Sequence, residues 1–483
     1  MKYGFQKERE ARREMERTVK SCPFRTRYHI MPPVGWINDP NGLCQFRGVY
    51  HAYFQYSPLN VHGGGGYWGH CTSTDLLNWE YQDPVLTADT PEDESGVYSG
   101  SALIEDGRMY LYYTGNVKKP GDYDYIDAGR VSTQLMVESE GGQQMSDKIK
   151  VLGMDEYPED MTQHIRDPKV WREDGHYYMV LGARQRVRDE AGRRNDRGCI
   201  LIYRSRDRVN WTLDKKLTPA HGFGYMWECP DIFELGGRKI LSFCPQGLKH
   251  YPGKYQNIYQ SGYCLLDDVS DPEASFAEWD MGFDFYAPQT FEAEDGRRIL
   301  IGWAGMPDTE EEHRNLSVAN GWQHCLTLPC ELTWKDGKVL RMPVRELNDL
   351  KWETVRDTDN GFGFAGKTVR IMADHIGGER RRLRIGSREN GLNLLIEDGR
   401  VTLSFLDEEG KPAPCGGGRK ERIGYVNGKA ENILVLIDSS IAEVFVNDGE
   451  LVLTTRVYLE NAERIVDISG FGNCTLQSEQ ADV

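Results

Sequence analysis

The sequence predicts an all-β protein, namely a five-bladed β-propeller followed by a C-terminal β-sandwich. Two observations carry this prediction: a hairpin-like unit recurs five times in the first two thirds of the chain, and the last third changes to alternating strands. The chain has 483 residues, of which 39% are hydrophobic, enough to fill the cores of two domains. No apolar run approaches the ~18 residues that a membrane span needs.

The repeated unit is a short apolar segment, a glycine-containing turn, and an aromatic or aliphatic segment, which is typical of a β-hairpin. Successive copies are 59 to 68 residues apart, which leaves room for about four short strands in each. A sandwich would instead show turns every ~8 to 12 residues without this longer period. We therefore expect five blades within residues 25–335, whose turn glycines are Gly48, Gly107, Gly175, Gly237 and Gly296.

The segments outside the repeat differ from it in texture. Residues 1–24 are rich in charge and are expected to form a helical extension, and residues 336–352 are expected to link the propeller to the next domain. Residues 353–483 contain alternating strands separated by Asn, Asp and Gly turns, which predicts a β-sandwich. No motif in the sandwich marks a site, so we expect it to be structural, to cover the propeller flank and to support any homo-oligomer.

Composition and charge exclude several classes of protein. The net charge of −17 at pH 7 argues against a nucleic-acid partner. The N-terminal stretch is charged rather than apolar, so we expect no signal peptide, no membrane partner and a cytoplasmic location. The 11 cysteines are scattered, and the closest pair, Cys325 and Cys330, lacks CxxC spacing. We therefore expect reduced thiols, no bound metal and no cofactor.

Candidate site residues come just before each hairpin. The innermost strands of propeller blades converge on the central axis, so their entry ends surround one pocket. An Asp before Pro often only caps a turn, but here three blades place an acid at positions that we treat as equivalent. The residues seven to nine positions before the turn glycines are Asp39, Ser99, Asp167, Glu228 and Gln289.

Clustered carboxylates without a His or Cys ligand pattern are typical of two kinds of site. They either bind a hard cation or perform general acid and base catalysis on a neutral substrate. Calcium would prefer a compact loop of the DxDxDG type, which the sequence lacks. Glycoside hydrolysis needs one carboxylate that attacks the anomeric carbon and one carboxylic acid that protonates the leaving oxygen. Asp39 and Glu228 can be assigned these two roles.

At these residues the sequence resembles the β-fructofuranosidases of glycoside hydrolase family 32, which include invertases, fructan hydrolases and bacterial intracellular sucrose-6-phosphate hydrolases. WINDPNG (36–42) resembles the nucleophile motif of the family, RDP (166–168) its transition-state motif and EC (228–229) its acid/base motif. Further matching segments are FQYSP (54–58), WGH (68–70), YSGSA (98–102) and IGWAG (301–305). CPQGL (244–248) and YQNIYQSGY (255–263) resemble the sucrose-6-phosphate branch most closely.

The resemblance implies a retaining reaction on terminal β-D-fructofuranosides, with sucrose or sucrose 6-phosphate as the expected small-molecule substrate. Asp39 would attack C2 of the fructosyl unit while Glu228 protonates the glycosidic oxygen and later activates water. Asp167 would accept hydrogen bonds from ring hydroxyls, and Arg166 beside it would support the charge balance. The resemblance also implies substrate-binding roles for Trp36, Asn38, Gln55, Trp68, Tyr98, Ser99 and Trp303.

Other functions stay open at this stage. A fructan exo-hydrolase would differ only in its outer subsites, and a fructosyltransferase only in the acceptor. A non-catalytic sugar-binding propeller would be expected to lose an acid, and an inverting pentose-directed glycosidase would lack WINDPNG and YSGSA. Analysis of products and of the anomer released separates these alternatives.

Two local features bear on the leaving group. Residues 63–66 are four consecutive glycines where family members often carry an aromatic residue; we expect a flexible tip rather than a phosphate cradle. The Arg-rich segment 184–197 is expected to be a solvated hairpin loop. The alternative is that Arg184, Arg186 or Arg188 attracts the phosphate of sucrose 6-phosphate.

Overall fold

The computed structural model describes residues 13, 15–64, 66–355, 362–363, 368–376, 380–460, 465–469, 471 and 473–479. Almost all of its regular structure is β-strand. Residues 15–20 are helical, and the remaining helices are single turns at Met154–Glu156, Leu266–Asp268, Pro272–Ser275, Leu316–Asn320, Arg345–Asp349 and Pro414–Gly416. None of the helices in the described ranges is long and apolar enough to cross a bilayer.

Five sheets follow one another in the first part of the chain. The first contains Gly35–Phe46 (β1), Val49–Ser57 (β2), Tyr67–Ser73 (β3) and Glu80–Thr87 (β4). The second contains Val97–Glu105 (β5), Arg108–Lys118 (β6), Arg130–Ser139 (β7) and Ile149–Leu152 (β8). The third contains Met161–Glu173 (β9), His176–Gln185 (β10), Arg197–Ser205 (β11) and Trp211–Leu217 (β12).

The fourth sheet contains Met226–Leu235 (β13), Arg238–Gln246 (β14), Gly262–Leu265 (β15) and Ala277–Glu278 (β16). The fifth begins with Tyr286–Glu292 (β17) and Arg298–Trp303 (β18). The chain then returns to the first sheet, where Trp322–Gln323 (β19) pairs in parallel with β1. Cys330–Lys335 (β20) and Lys338–Pro343 (β21) complete the fifth sheet.

The five sheets are the blades of a β-propeller, which confirms the predicted fold. The innermost strands are β1, β5, β9, β13 and β17; each contacts the next, and β17 also contacts β1. Each predicted hairpin joins the first two strands of its blade. All five turn glycines adopt a positive φ, between 71° and 84°, which glycine reaches without the steric cost of a Cβ atom.

Every innermost strand carries a β-bulge at the same place, where two residues face a single residue of the second strand. Three of the bulges have the pattern x-Pro, in Asp167–Pro168, Cys229–Pro230 and Ala287–Pro288. Proline suits these positions because a bulge residue need not donate a ladder hydrogen bond. The bulges interrupt the regular alternation of side chains in all five strands.

The C-terminal domain is the predicted β-sandwich of two six-stranded antiparallel sheets. One sheet has the order β22-β33-β24-β29-β30-β31 and the other β23-β32-β25-β26-β27-β28. Apolar side chains of both sheets form one core between them. The strands are Trp352–Thr354 (β22), Phe362–Gly363 (β23), Thr368–Asp374 (β24), Arg381–Gly386 (β25), Gly391–Glu397 (β26), Arg400–Ser404 (β27), Glu421–Tyr425 (β28), Asn432–Asp438 (β29), Ile441–Val446 (β30), Leu451–Arg456 (β31), Ile465–Ser469 (β32) and Asn473–Glu479 (β33).

The predicted domain boundaries stay predictions. The fifth blade nevertheless extends to Pro343, within the segment predicted as a linker, because the turn at Asp336 and Gly337 folds β21 back onto β20. Of the predicted N-terminal extension, residues 1–12 and 14 lie outside the described residues. The end of its helical part is anchored by Val19, which is 1% exposed and packs with Trp322.

The sandwich is fastened to the propeller by the segment between the fourth and fifth blades. The backbone N–H of Phe283 donates to the Thr454 carbonyl in β31 at 2.9 Å. Asp284 accepts two hydrogen bonds from Arg419, at 2.7 and 2.8 Å, and both side chains are fully buried. Burial would raise the pKa of Asp284, but the Arg419 charge and hydrogen bonds dominate and lower it to about 2. This ion pair therefore stays charged at neutral pH.

A second connection involves the segment that precedes the propeller. His29 Nδ1 lies 2.8 Å from Asp438 Oδ2, and His29 Nε2 lies 3.1 Å from Glu443 Oε2. Burial opposes the charge on His29, but the hydrogen bonds and charges of the two sandwich carboxylates raise its pKa to about 9. A protonated imidazole donates from both nitrogens, so His29 bridges the two acids.

We expect this bridge to make the stability of the protein depend on pH. A raised pKa stabilises the folded state fully below the unfolded value of 6.5, and this stabilisation is lost as pH rises through about 9. The wild type should lose roughly 3 kcal/mol of unfolding free energy over this interval, whereas His29→Gln should be less stable at pH 6.5 and show a flatter profile. Melting temperatures measured across the interval test this.

The exposed His221 provides the control, since His221→Gln should retain the wild-type pH profile. Parallel profiles for the wild type and His29→Gln would show that the bridge contributes nothing.

Candidate active site

The bulges of the five innermost strands surround a group of polar side chains on the propeller axis. Asp39 belongs to β1, Ser99 to β5, Asp167 to β9 and Glu228 to β13. The sulfur of Cys229 lies 3.7 Å from an oxygen of Asp39 and 3.7 Å from an oxygen of Asp167, so the two carboxylates are neighbours. The site is therefore assembled from side chains of at least four blades, and no blade contains it alone.

Asp39 is held by hydrogen bonds on both oxygens. Ser99 Oγ donates to Oδ2 at 2.5 Å, and Asn38 Nδ2 donates to Oδ1 at 3.2 Å. Ser99 itself accepts a hydrogen bond of 2.7 Å from Gln55 Nε2. Burial raises the pKa of Asp39; the Ser99 and Asn38 hydrogen bonds lower it, and the negative charge of Glu228 adds to the rise. These donors fix the orientation of the carboxylate.

Glu228 accepts hydrogen bonds from three different residues. Arg166 donates to Oε1 from Nε and from one terminal nitrogen, at 3.1 and 2.6 Å. Tyr286 OH and Gln246 Nε2 donate to Oε2 at 2.6 and 2.8 Å. The Glu228 side chain is 16% exposed, so one edge of the carboxyl group faces the pocket.

Asp167 lies close enough to both other acids to feel their charges. The backbone N–H of Cys229 donates to its Oδ2 at 2.9 Å, and Arg166 Nε lies 4.0 Å from the same atom. Burial raises the pKa of Asp167 to about 7; Arg166 opposes the shift, and the charges of Glu228 and Asp39 reinforce it. The negative charges of Glu228 and Asp39 thus raise the cost of ionising Asp167, as expected for like charges in a poorly solvated site.

The three acids do not occupy equivalent bulge positions, and this corrects the assumption behind the repeat alignment. Asp39 is the second of the two bulged residues, Asp167 is the first, and Glu228 is the residue before the bulge. Asp167 has a φ of 63°, whereas Glu228 belongs to the paired part of its strand. Counting from distant turns cannot detect this shift, because β1 contains an additional irregularity after Asn41.

Two of the three tryptophans that were predicted to bind substrate lie behind the surface of the pocket. Trp36 is partly exposed and donates to Asn38 Oδ1 at 2.8 Å, so it belongs to the wall itself. Trp303 is 3% exposed and packs edge-on against Trp36, with 5.8 Å between the ring centroids. Trp68 is fully buried and donates to the Tyr98 carbonyl at 3.0 Å. Trp68 therefore supports Tyr98 from behind and offers a ligand no surface, which differs from the prediction.

Several residues of the site were missed by the sequence argument. Tyr286 and Gln246 bind Glu228, and Cys229 touches the other two acids. Tyr286 could have been found by aligning RDP, ECP and YAP on their prolines, which places it at the position of Glu228. Gln246 carries no comparable signal, because it comes from β14, opposite the bulged strand.

The glycine run contributes to the wall next to Trp36. Gly63 has a φ of 84°, and a Cβ atom there would lie 3.2 Å from the Trp36 indole. Gly64 has a φ of 115°, but a Cβ atom would meet its first neighbour only at 3.7 Å. The absent side chain at residue 63 therefore lets the backbone pass close to the indole.

The three arginines proposed as phosphate ligands, Arg184, Arg186 and Arg188, each lie near an acid. Arg184 Nε lies 2.9 Å from Asp196, and Arg186 Nε lies 3.0 Å from Asp127, which is also 4.0 Å from Arg188. Among the described residues, no group of three or more His, Cys, Asp or Glu side chains is arranged to hold a metal ion.

Comparisons with known proteins agree with this geometry. The model of the Glycosyl hydrolases family 32 N-terminal domain matches residues 29–343, and that of the family 32 C-terminal domain matches residues 382–480. Sucrose-6-phosphate hydrolase of Bacillus subtilis (strain 168) is 36% identical over 463 residues, covering 92% of this chain and 91% of the relative. Raffinose invertase of Escherichia coli is 35% identical over 458 residues, covering 89% of each.

Two solved structures resemble the whole chain. Sucrose-6-phosphate hydrolase from Lactobacillus gasseri has a TM-score of 0.83 and 28% identity, covering 98% of this chain and 96% of that one. The Bombyx mori family 32 β-fructofuranosidase, in a mutant form bound to sucrose, has a TM-score of 0.79 and 28% identity, covering 97% of both chains.

We expect Gly63→Ala to disturb the wall at Trp36 more than Gly64→Ala does. Both changes place a side chain at a positive φ, which strains the backbone, but only the new methyl group at residue 63 would press on Trp36. The KM for the substrate should rise several-fold in Gly63→Ala alone. Equal kinetic effects would mean that backbone strain, and not the Trp36 contact, limits this position.

Proposed function

The chain belongs to glycosyl hydrolase family 32, and from this we propose that it is a β-fructofuranosidase that hydrolyses sucrose and sucrose 6-phosphate with retention of configuration. The observation that carries the proposal is the convergence of Asp39, Asp167 and Glu228 in one pocket, with Cys229 touching two of them and Arg166 lying between two. A retaining glycosidase needs a nucleophilic carboxylate and a separate acid.

Asp39 is the nucleophile in this proposal. Its carboxylate attacks C2 of the fructosyl unit, and the bond from C2 to the glycosidic oxygen breaks, giving a covalent fructosyl-enzyme. Ser99 and Asn38 orient the attacking oxygens. Burial leaves the Asp39 carboxylate poorly solvated, which favours its neutral form. For the same reason, little water must be displaced from the carboxylate when it attacks.

Glu228 is the acid and base. It gives a proton to the departing oxygen, and its carboxylate then takes a proton from the water that attacks C2 and releases fructose. Tyr286 and Gln246 hold Oε2, while Arg166 holds Oε1. Asp167 accepts hydrogen bonds from fructosyl hydroxyls, which strengthen as positive charge develops on the sugar ring.

Positive charge collects on the Glu228 side of the pocket. The pKa of His164 is lowered to about 2, first by burial and then by the charges of Arg166, Arg130 and Arg184 around it. Arg130 is buried and donates to the side-chain oxygen of Asn116 at 2.7 Å rather than to a carboxylate. A phosphate on the leaving glucose would be attracted by this group of arginines, which favours sucrose 6-phosphate over sucrose.

Of the three arginines proposed from the sequence, Arg184 has the best position for this role. Its guanidinium lies over the Tyr225 ring at 4.8 Å and is close enough to shift the pKa of His164, next to Arg166. Arg186 and Arg188 face Asp127 instead. Arg184 also pairs with Asp196, so it would share its charge between that acid and a ligand.

Fructan exo-hydrolysis and fructosyl transfer are the alternatives, since both use the same three acids. They are less supported than sucrose or sucrose 6-phosphate hydrolysis, because the relatives with substantial identity are named for sucrose 6-phosphate or raffinose. A cytoplasmic location is part of the proposal, and all 11 cysteines are free, as a reducing compartment requires.

The function is tested by the initial rates of glucose and glucose 6-phosphate release from sucrose and sucrose 6-phosphate. We expect both rates to fall by at least about 100-fold in Glu228→Gln, which keeps the size of the side chain but has no proton to give. Retention is checked by NMR of the first anomer released. Activity confined to inulin or levan would replace the proposal with fructan hydrolysis.

In the same experiment, Arg184→Ala tests the preference for sucrose 6-phosphate over sucrose. Losing one charged partner should lower kcat/KM for sucrose 6-phosphate about 10-fold, with sucrose little affected. Arg193→Ala is the matched control, because Arg193 lies in the loop that follows the strand of Arg184, is 79% exposed and pairs with Asp189. An unchanged ratio between the two substrates in Arg184→Ala would exclude Arg184 as a phosphate ligand.

We also expect Ser99→Ala to shift the pH dependence of kcat/KM, so that the fall in kcat/KM on the acid side begins at a higher pH. The Ser99 hydrogen bond lowers the pKa of Asp39 against the effect of burial, so its removal should raise that pKa further. The nucleophile must be ionised, and kcat/KM reports groups of the free enzyme. Ser242→Ala is the control, because the Ser242 hydroxyl bonds Trp279 Nε1 instead of an acid. If the acid side of the kcat/KM profile does not shift in Ser99→Ala, the ionisation of Asp39 does not control it.

A further inference from the structure

His164 lies two residues before Arg166 and bonds to it directly. A terminal nitrogen of Arg166 lies 2.8 Å from His164 Nδ1, and His164 Nε2 lies 2.9 Å from the Tyr125 carbonyl oxygen. A guanidinium can only donate and a carbonyl can only accept. His164 Nδ1 must therefore be the acceptor and Nε2 must carry the hydrogen, so both contacts require the neutral Nε2–H tautomer.

The surroundings favour this neutral form. His164 faces Arg166 from its own strand, Arg130 from β7 and Arg184 from β10, and burial together with these charges lowers its pKa. The Tyr125 carbonyl also accepts from Arg130 Nε at 3.2 Å, so the oxygen that orients His164 is itself held. The imidazole is thus fixed at both nitrogens.

The contact with His164 determines which edge of Arg166 meets the acids. One terminal nitrogen is occupied by His164, which leaves Nε and the other terminal nitrogen for Glu228 Oε1. Asp167 offers a competing carboxylate, with its Oδ2 4.0 Å from Arg166 Nε. Without an acceptor at His164 Nδ1, the guanidinium would be free to turn between Glu228 and Asp167.

We propose that His164 is a positioning residue for Glu228 and acts through Arg166: as a neutral acceptor it keeps the guanidinium paired with the acid and base of the reaction. This inference rests on the proposed function. It predicts a defect in leaving-group protonation, because a Glu228 carboxyl that is no longer oriented transfers its proton less efficiently.

The test compares two substrates that differ in their need for a proton. Sucrose requires protonation of its leaving oxygen, whereas fluoride leaves β-D-fructofuranosyl fluoride with little such help. We expect His164→Leu to lower kcat/KM for sucrose by about 10- to 100-fold and that for the fluoride by only a few-fold. The ratio kcat/KM is used because it reports the steps up to the covalent intermediate, before Glu228 acts as a base.

His164→Asn provides the conservative rescue, because its side-chain oxygen can replace Nδ1 as an acceptor for Arg166. We expect it to recover most of the activity on sucrose and to remain folded if His164→Leu does not. His176→Leu, on the third blade with its imidazole bonded to the Asp174 carbonyl, is the control and should leave the ratio between the substrates unchanged.

Equal losses on both substrates, or no loss on sucrose in His164→Leu, would overturn the inference while leaving the proposed function intact. A wild-type protein that releases fructose from neither substrate would overturn the proposed function, and the positioning role with it. The two failures are therefore distinguished by the wild type alone.

Discussion

The β-bulge within each innermost strand is the constraint on which the site depends. In a regular strand, side chains point alternately toward and away from the propeller axis. Three acids at equivalent positions of three regular strands would therefore lie at the same depth along this axis. The bulge adds a residue and turns the local direction of the side chains. Asp39, Asp167 and Glu228 take three successive places around this irregularity, so three carboxylates from separate blades enter one pocket at different angles.

Bringing three acids together has an electrostatic cost. In the site, one arginine and several neutral hydrogen-bond donors offset this cost. Burial raises the pKa of Asp39 and that of Asp167. Arg166 is the cation placed between Glu228 and Asp167, and neutral donors from Ser99, Asn38, Tyr286 and Gln246 provide the remaining hydrogen bonds. A second acid-bound cation in the pocket would neutralise the nucleophile, whereas neutral donors orient it and leave it reactive.

The parts outside the pocket preserve its geometry. The buried pair of Asp284 and Arg419 joins the segment between the fourth and fifth blades to the sandwich, and His29 joins the segment before the first blade to it. The sandwich therefore contacts the propeller where the fifth blade meets the first, the region where β17 contacts β1. These contacts join the sandwich to the propeller through buried polar groups, whose hydrogen bonds need a defined geometry.

By itself the sequence determined the number of blades, their hairpins, the following sandwich and the strands that carry the three acids. Local pattern is sufficient for these features, because turn glycines and apolar periodicity act within a few residues of each other. Only the tertiary structure decided that the acids occupy different bulge positions, that Trp68 supports Tyr98 from behind, and that Tyr286 and Gln246 hold Glu228. Each of these depends on side chains from strands far apart in the chain, and no local pattern encodes the distance between them.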